Sequence, residues 1–285
     1  KNIKKGIFCK FIFIKYFFIF IDIMKDIFTP ELCRKILFSF IIIILIFIIY
    51  NNLYYQNYKP KIYVFDTKVK GPTVFILGSV HGNEPAGTYT TVNIIKNLIN
   101  YNSLTSNKSH KIKKGKIIIL PIPNPYGIKY NSRFQPKLFN ADINRNYIND
   151  GVDKMSKIII SLAKKSDYII DLHEGWGFHK SNKYSLGSTL TINIKPYDKK
   201  LINIGNDIVN ILNSKIYHDK KKFTLLLRDK NKCTPYGSFG CWSEINNKKY
   251  ILVETSGQNN VQKLQLRVNQ QSIIILNLLK KIDII

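Results

Sequence analysis

Acidic residues are scarce and cysteines scarcer: 18 Asp and Glu stand against 44 Lys and Arg, with four Cys in 285 residues. Four dispersed cysteines are too few for a disulfide framework in a chain this long, and none lies in a Cys-x-x-Cys knuckle. Cys233 and Cys241 bracket Thr-Pro-Tyr-Gly-Ser-Phe-Gly and could pair in an oxidising compartment; buried thiols are the alternative. The shortage of acid leaves a formal charge of +26, which on its own would point to nucleic acid or an anionic surface. The lysines, however, are spread among Ile, Asn and Tyr along the whole chain. No recognition helix, zinc-finger spacing or RNA-binding aromatic strand accompanies them, so no specific nucleic-acid partner is expected. No internal repeat and no dividing linker follows residue 58. With 45% hydrophobic residues the chain is not of disordered composition and can bury one full core.

The chain opens with an N-terminal segment, residues 1–35. Lys1 to Ile23 precede the first methionine, Met24, and are open to being sequence upstream of the true start. Ile36 to Tyr50 carries no charge, and with the stretch to Tyr55 it reaches the roughly 20 residues of a membrane-spanning helix. A signal sequence or a buried core helix would show the same run. The lack of a small-x-small cleavage site favours a single-pass anchor over residues 36–55. Arg34 and Lys35 abut its start, whereas the next basic residue after it is Lys59. The positive-inside tendency then places the rest of the chain outside the cytosol or in a lumen. Asn107-Lys108-Ser109 would be a glycosylation acceptor there.

From Tyr58 to Ile285 strand-like and helix-like blocks alternate. Strands are expected at Ile62–Phe65, Thr73–Gly78, Lys116–Pro121, Tyr168–Leu172, Ser188–Ile194, Phe223–Leu227 and Lys249–Val253. Helices are expected at Pro85–Asn100, Met155–Lys165, Tyr197–Ser214 and Asn260–Ile282. The alternation predicts one α/β domain with a largely parallel sheet covered by helices on both faces. Sites in such sheets form beyond the carboxyl ends of strands.

Two stretches stand at such ends. His81-Gly82-Asn83-Glu84 follows the run Thr73 to Gly78, and Asp171-Leu172-His173-Glu174 closes the run from Tyr168. A His-x-x-Glu occurs by chance in many proteins. Placed at a strand-to-helix corner, though, His81 and Glu84 can converge, and His173 completes the two imidazoles and one carboxylate of a catalytic zinc site with a position open for water. Glu254 ends the run Tyr250 to Val253 and projects into the same crevice, where a carboxylate can serve as general base.

Between these stretches lie Asn124-Pro125-Tyr126-Gly127, Arg133 and Asp142-Ile143-Asn144-Arg145-Asn146, and Val253-Glu254-Thr255 follows them. In this order and spacing the chain resembles the zinc carboxypeptidase superfamily, within it the succinylglutamate desuccinylase and aspartoacylase branch, from Val74 to Glu254. The resemblance implies a three-layer α/β/α fold with a mostly parallel mixed sheet. It implies one zinc per chain on His81, Glu84 and His173, and Glu254 as general base. Arg133 would polarise the scissile carbonyl, Asn144 and Arg145 would grip a substrate carboxylate, and Asp142 would orient a zinc-bound histidine. Tyr236 is a counterpart to the carboxypeptidase tyrosine; Trp176 would either wall the pocket or pack in the core, with the core favoured. The chain ends soon after its last helix, without the β domain that shapes the aspartoacylase pocket, so narrow aspartoacylase specificity is not expected. The implied activity is a zinc hydrolase of N-acyl amino acids or related carboxylates. The alternatives are a carboxypeptidase or amidase acting on peptides and, from another class, a silent membrane-anchored binding protein.

Overall fold

The computed structural model describes residues 29–101, 111–136, 142–193, 198–228 and 235–285. The acceptor-like Asn107 to Ser109, residues 1–23 and Cys233 lie outside them. The chain divides into two compact units, residues 1–57 and 58–285. In the first, helix α1 (Pro30–Asn57) is longer than the expected apolar core. Its span Pro30–Tyr50 is long and apolar enough to cross a membrane, a property that signal sequences share. Phe38, Ile43 and Ile46 are exposed on it, as in a helix that is apolar all round and finds its cover elsewhere.

The second unit is built on a seven-stranded sheet: β1 (Tyr63–Asp66), β2 (Thr73–Leu77), β3 (Lys116–Leu120), β4 (Tyr168–Trp176), β5 (Thr189–Asn193), β6 (Thr224–Arg228) and β7 (Lys249–Gln258). Its order is β1-β3-β2-β4-β7-β5-β6. The β1–β3 and β7–β5 pairs are antiparallel and the other four parallel. The central strands are buried on both sides, which is why they read as continuous apolar runs rather than as alternation.

Period two divides their side chains between the faces. Val74, Ile76, Ile170, Leu172, Ile251 and Val253 join Ile94, Ile204, Ile274 and Leu278 in one aliphatic cluster. It is covered by α2 (Ala86–Tyr101), α5 (Lys199–Asn213) and α7 (Leu264–Lys281). The opposite face presents Ile169, Asp171, His173, Tyr250 and Glu254. Helix α4 (Lys154–Lys164) belongs to that layer, as does α6 (Phe239–Ile245), whose Phe239 ring stands edge-on to Tyr250 at 5.6 Å. The result is the three-layer arrangement that the resemblance implied.

Two differences from expectation bear on the site. Strands β4 and β7 run on past Leu172 and Val253, because they pair with each other through Gly175 and Ser256. His173 and Glu254 are therefore strand residues, held by ladder hydrogen bonds. Asn124-Pro125 opens a short helix, α3 (Pro125–Tyr130): the Asn124 side chain accepts from Gly127 N–H, and Pro125 takes a first-turn position where no N–H is needed. Trp176, expected in the core, is 42% exposed where β4 ends.

Ile170 is fully buried between these layers. Ile170→Ala is expected to lower the unfolding free energy by about 2–5 kcal/mol. Tyr217→Ala, at a side chain that is 98% exposed, should change it by less than about 0.5 kcal/mol. Denaturant titration of the two variants checks the contrast.

Candidate metal and catalytic site

The turn after β2 is folded by its own side chains. The Ser79 hydroxyl donates to the Glu84 carbonyl and accepts from Thr88 N–H, while Glu84 N–H closes on the His81 carbonyl at 3.1 Å. From the neighbouring loop, Asn124 Nδ2 donates to the Val80 carbonyl at 3.1 Å. Gly82 crosses Gly127 so closely that a Cβ on it would overlap the Gly127 backbone, so this crossing requires glycine. His81 and Glu84 are thereby turned inward and buried.

They meet His173. Glu84 Oε1 lies 2.9 Å from His81 Nδ1, and Oε2 lies 2.9 Å from His173 Nδ1. The ligand atoms of the three residues all lie within 4.8 Å of one another. Each imidazole is backed by a carboxylate: His81 Nε2 is 3.1 Å from Asp142 Oδ1, and His173 Nε2 is 3.3 Å from Asp171 Oδ2. The Tyr250 hydroxyl donates to the same Asp171 oxygen at 2.6 Å. Burial pushes the Glu84 carboxyl up, but the His81 charge and the bonds to both histidines carry it well below its usual value. For His173, burial works against the charged form, yet the charge and bond of Asp171, together with Glu84, hold it well above the usual imidazole range.

A zinc ion suits this set. Two imidazole nitrogens and a carboxylate form a catalytic donor set, and each ring turns Nδ1 inward while resting Nε2 on a carboxylate, as orienting partners of liganding histidines do. Asp142 also caps the 3₁₀ turn Ile143–Arg145 through Asn144 N–H at 2.9 Å, so it both orients the imidazole and caps a helical turn.

Glu254 stands directly across from His173 in the β4–β7 register. Burial pushes its carboxyl up to about 8, with Glu84 and Asp171 adding to the effect and His173 and Arg133 opposing it. Arg133 reaches Asp142 Oδ2 through Nε at 3.0 Å and Glu84 Oε1 through Nη1 at 3.3 Å. The Arg145 guanidinium bonds the Asn144 carbonyl at 2.6 Å and lies within the field of Asp142 and Arg133. Asn144 is partly committed, its side-chain oxygen accepting from Phe239 N–H at the start of α6 at 2.9 Å. Tyr236 is exposed. Cys241, in α6, is disulfide-bonded.

Three contributors carried no assigned role in the sequence. Asp171 was legible in principle, since two residues before His173 on a strand is the same face. Tyr250 follows from the same alternation counted back from Glu254. Gln258, whose Nε2 donates to Glu84 Oε1 at 3.1 Å, has no such signal.

Residues 70–187 match the family model of the succinylglutamate desuccinylase/aspartoacylase catalytic domain. No curated protein matches the sequence significantly. Among solved structures, the apo Cell Shape Determinant protein Csd4 of Helicobacter pylori is similar at TM-score 0.63 and 20% identity, over 80% of this chain and 55% of that one. The mDAP-bound form of Csd4, described as a D,L-carboxypeptidase, gives 0.60 and 21%, over 75% and 52%. A succinylglutamate desuccinylase/aspartoacylase of Rhodobacter sphaeroides gives 0.55 and 17%, over 80% and 60%. The chain thus spans 52% to 60% of the length of these relatives, and the likeness is one of fold.

Between the ordinary 4.5 and about 8, folded Glu254 retains a proton that the unfolded chain has lost. Stability of the metal-free protein therefore falls as pH rises through that window, and His173, raised above 6.5, adds a loss of the same sign. The Tm of the chelated protein is expected to fall across this range, with a shallower slope in Glu254→Gln, which has nothing to titrate. Equal slopes would contradict the assignment.

Proposed function

Starting from a chain whose residues 70–187 belong to the succinylglutamate desuccinylase/aspartoacylase catalytic family, we propose a zinc-dependent hydrolase that cleaves the amide bond of an N-acyl amino acid or related carboxylate-bearing substrate. One observation carries this reading: Glu254 is register-paired with His173, which sets a buried carboxylate beside the His81, Glu84 and His173 trio. A binding module would have no use for that combination.

Zinc bound there would polarise the scissile carbonyl and lower the pKa of a water towards roughly 7. Glu254 takes one proton from the attacking water on a carboxylate oxygen as the new C–O bond forms. It returns that proton to the leaving nitrogen as the C–N bond breaks. A carboxyl raised by burial suits both steps, since it is a better base than an exposed one and still an acid. Arg133 turns its guanidinium from Asp142 and Glu84 towards the oxygen that gains charge. Arg145 offers a planar fork to the substrate carboxylate, and Asn144 its remaining amide N–H groups. Asp142 keeps the His81 ring in place throughout.

Hydrolysis of short peptides is the second reading, favoured by the fold shared with Csd4, which is known in tripeptide-bound form. The span Pro30–Tyr50 is read as a single-pass anchor with the catalytic unit outside the cytosol or in a lumen. The disulfide at Cys241 supports an oxidising compartment.

Amine release from a panel of N-acyl amino acids and short peptides tests the reading. Glu254→Gln is expected to lower kcat/KM by roughly 100- to 10,000-fold with zinc content unchanged. Chelation should abolish turnover and zinc restore it. A variant as active as the parent would overturn the assignment, and release of C-terminal residues from peptides would move the substrate class to peptides.

A further inference from the structure

Strands β4 and β7 pair in step from Tyr168 with Lys249 to Gly175 with Ser256, after which Trp176 pairs with Gln258. Gly257 is the extra residue of a β-bulge, a device that re-aims the next side chain. The bulge sits over a buried ion pair between Glu174 and Arg267, and a Cβ at Gly257 would collide with both charged groups. A side chain there would have to displace the buried pair. The consequence is the aim of Gln258: its Nε2 donates to the Glu174 carbonyl at 2.8 Å and to Glu84 Oε1 at 3.1 Å. Both partners are acceptors, so the amide must present its nitrogen to them.

Each Glu84 oxygen therefore has one neutral, fixed donor besides its imidazole. Oε2 has Glu174 N–H at 3.1 Å, and Oε1 has Gln258. Oε1 also receives Arg133, but that side chain is 30% exposed and is assigned above to the substrate. Once Arg133 turns to a substrate, Gln258 is the donor that still holds Oε1. We propose that Gln258 is a positioning residue, fixing the orientation of the liganding Glu84 carboxylate for zinc. This rests on the metal-hydrolase reading above.

Gln258→Met keeps the length of the side chain and removes both N–H donors. In the full chain, competition with a chromophoric zinc chelator is expected to show zinc affinity lowered about 10- to 100-fold. The rise in Tm on adding zinc should shrink correspondingly, because that rise tracks affinity. A purely structural role would lower the Tm of metal-free and zinc-loaded protein alike and leave the affinity alone; that result overturns the proposal. If Gln258→Met fails to fold, Gln258→Asn, one methylene too short to span both acceptors, is expected to show the same loss of affinity, and an unchanged affinity there overturns the proposal equally. A parent chain that binds no zinc would overturn the metal reading itself, whereas an unchanged variant overturns only the role of Gln258.

Discussion

A carboxylate charged in the interior, Glu84, is the constraint on which the rest of the site depends. Removing such a group from water costs several kcal/mol unless partners compensate it. Here compensation is complete on both oxygens, from two imidazoles, the Arg133 guanidinium, a backbone N–H and an amide. Those partners come from the turn after β2, the loop after α3, the ends of β4 and β7, and no single element could supply them. The local features follow from that demand. Ser79 and Asn124 tie the turn, and Gly82 lets it pass against the Gly127 backbone of α3 without a side chain between them.

The sheet separates the chemistry from the stabilising core. On β4, Ile170 and Leu172 point into the aliphatic cluster, whereas Asp171 and His173 occupy the other face. On β7, Ile251 and Val253 do the former, Tyr250 and Glu254 the latter. Charged groups thus stand one residue away from the main apolar cluster without entering it. Glu254 is paired on both edges of β7, to His173 of β4 and Thr189 of β5, and His173 on the β7 edge of β4, so the imidazole and the carboxylate that face each other there have little freedom to drift. The Glu174–Arg267 pair beneath is weak evidence for stability in itself. Its value is geometric: it ties the α2 N-terminus, β4 and α7 together through Ala86 N–H and Arg267.

Much of this was legible in the residues. Apolar runs of strand length and amphipathic blocks of helix length located every long element from Tyr63 onward, though β4 and β7 run on past their expected ends at Leu172 and Val253, and the expected strand ends pointed to His81, His173 and Glu254. Local pattern was less informative where contacts are between elements. Trp176, weighed between pocket wall and core, stands exposed at the last residue of β4. The short helices α3 and α6 passed unseen because they are too brief for a periodic signal. Asn144 was expected to grip a substrate carboxylate; that its oxygen also accepts from Phe239 N–H at the start of α6 depends on a contact between elements.

The sequence by itself determined the classes of element, the face on which each strand residue lies and the chemical identity of the trio, because period and side-chain type are properties of neighbouring residues along one chain. Only the tertiary structure decided that His173 stands across from Glu254, that Asp171 backs the imidazole while Tyr250 ties it, and that Gln258 reaches Glu84. Those depend on which strands become neighbours, in what register and with which bulge. Register and bulge are set by the packing of distant segments, here a glycine forced over a buried ion pair.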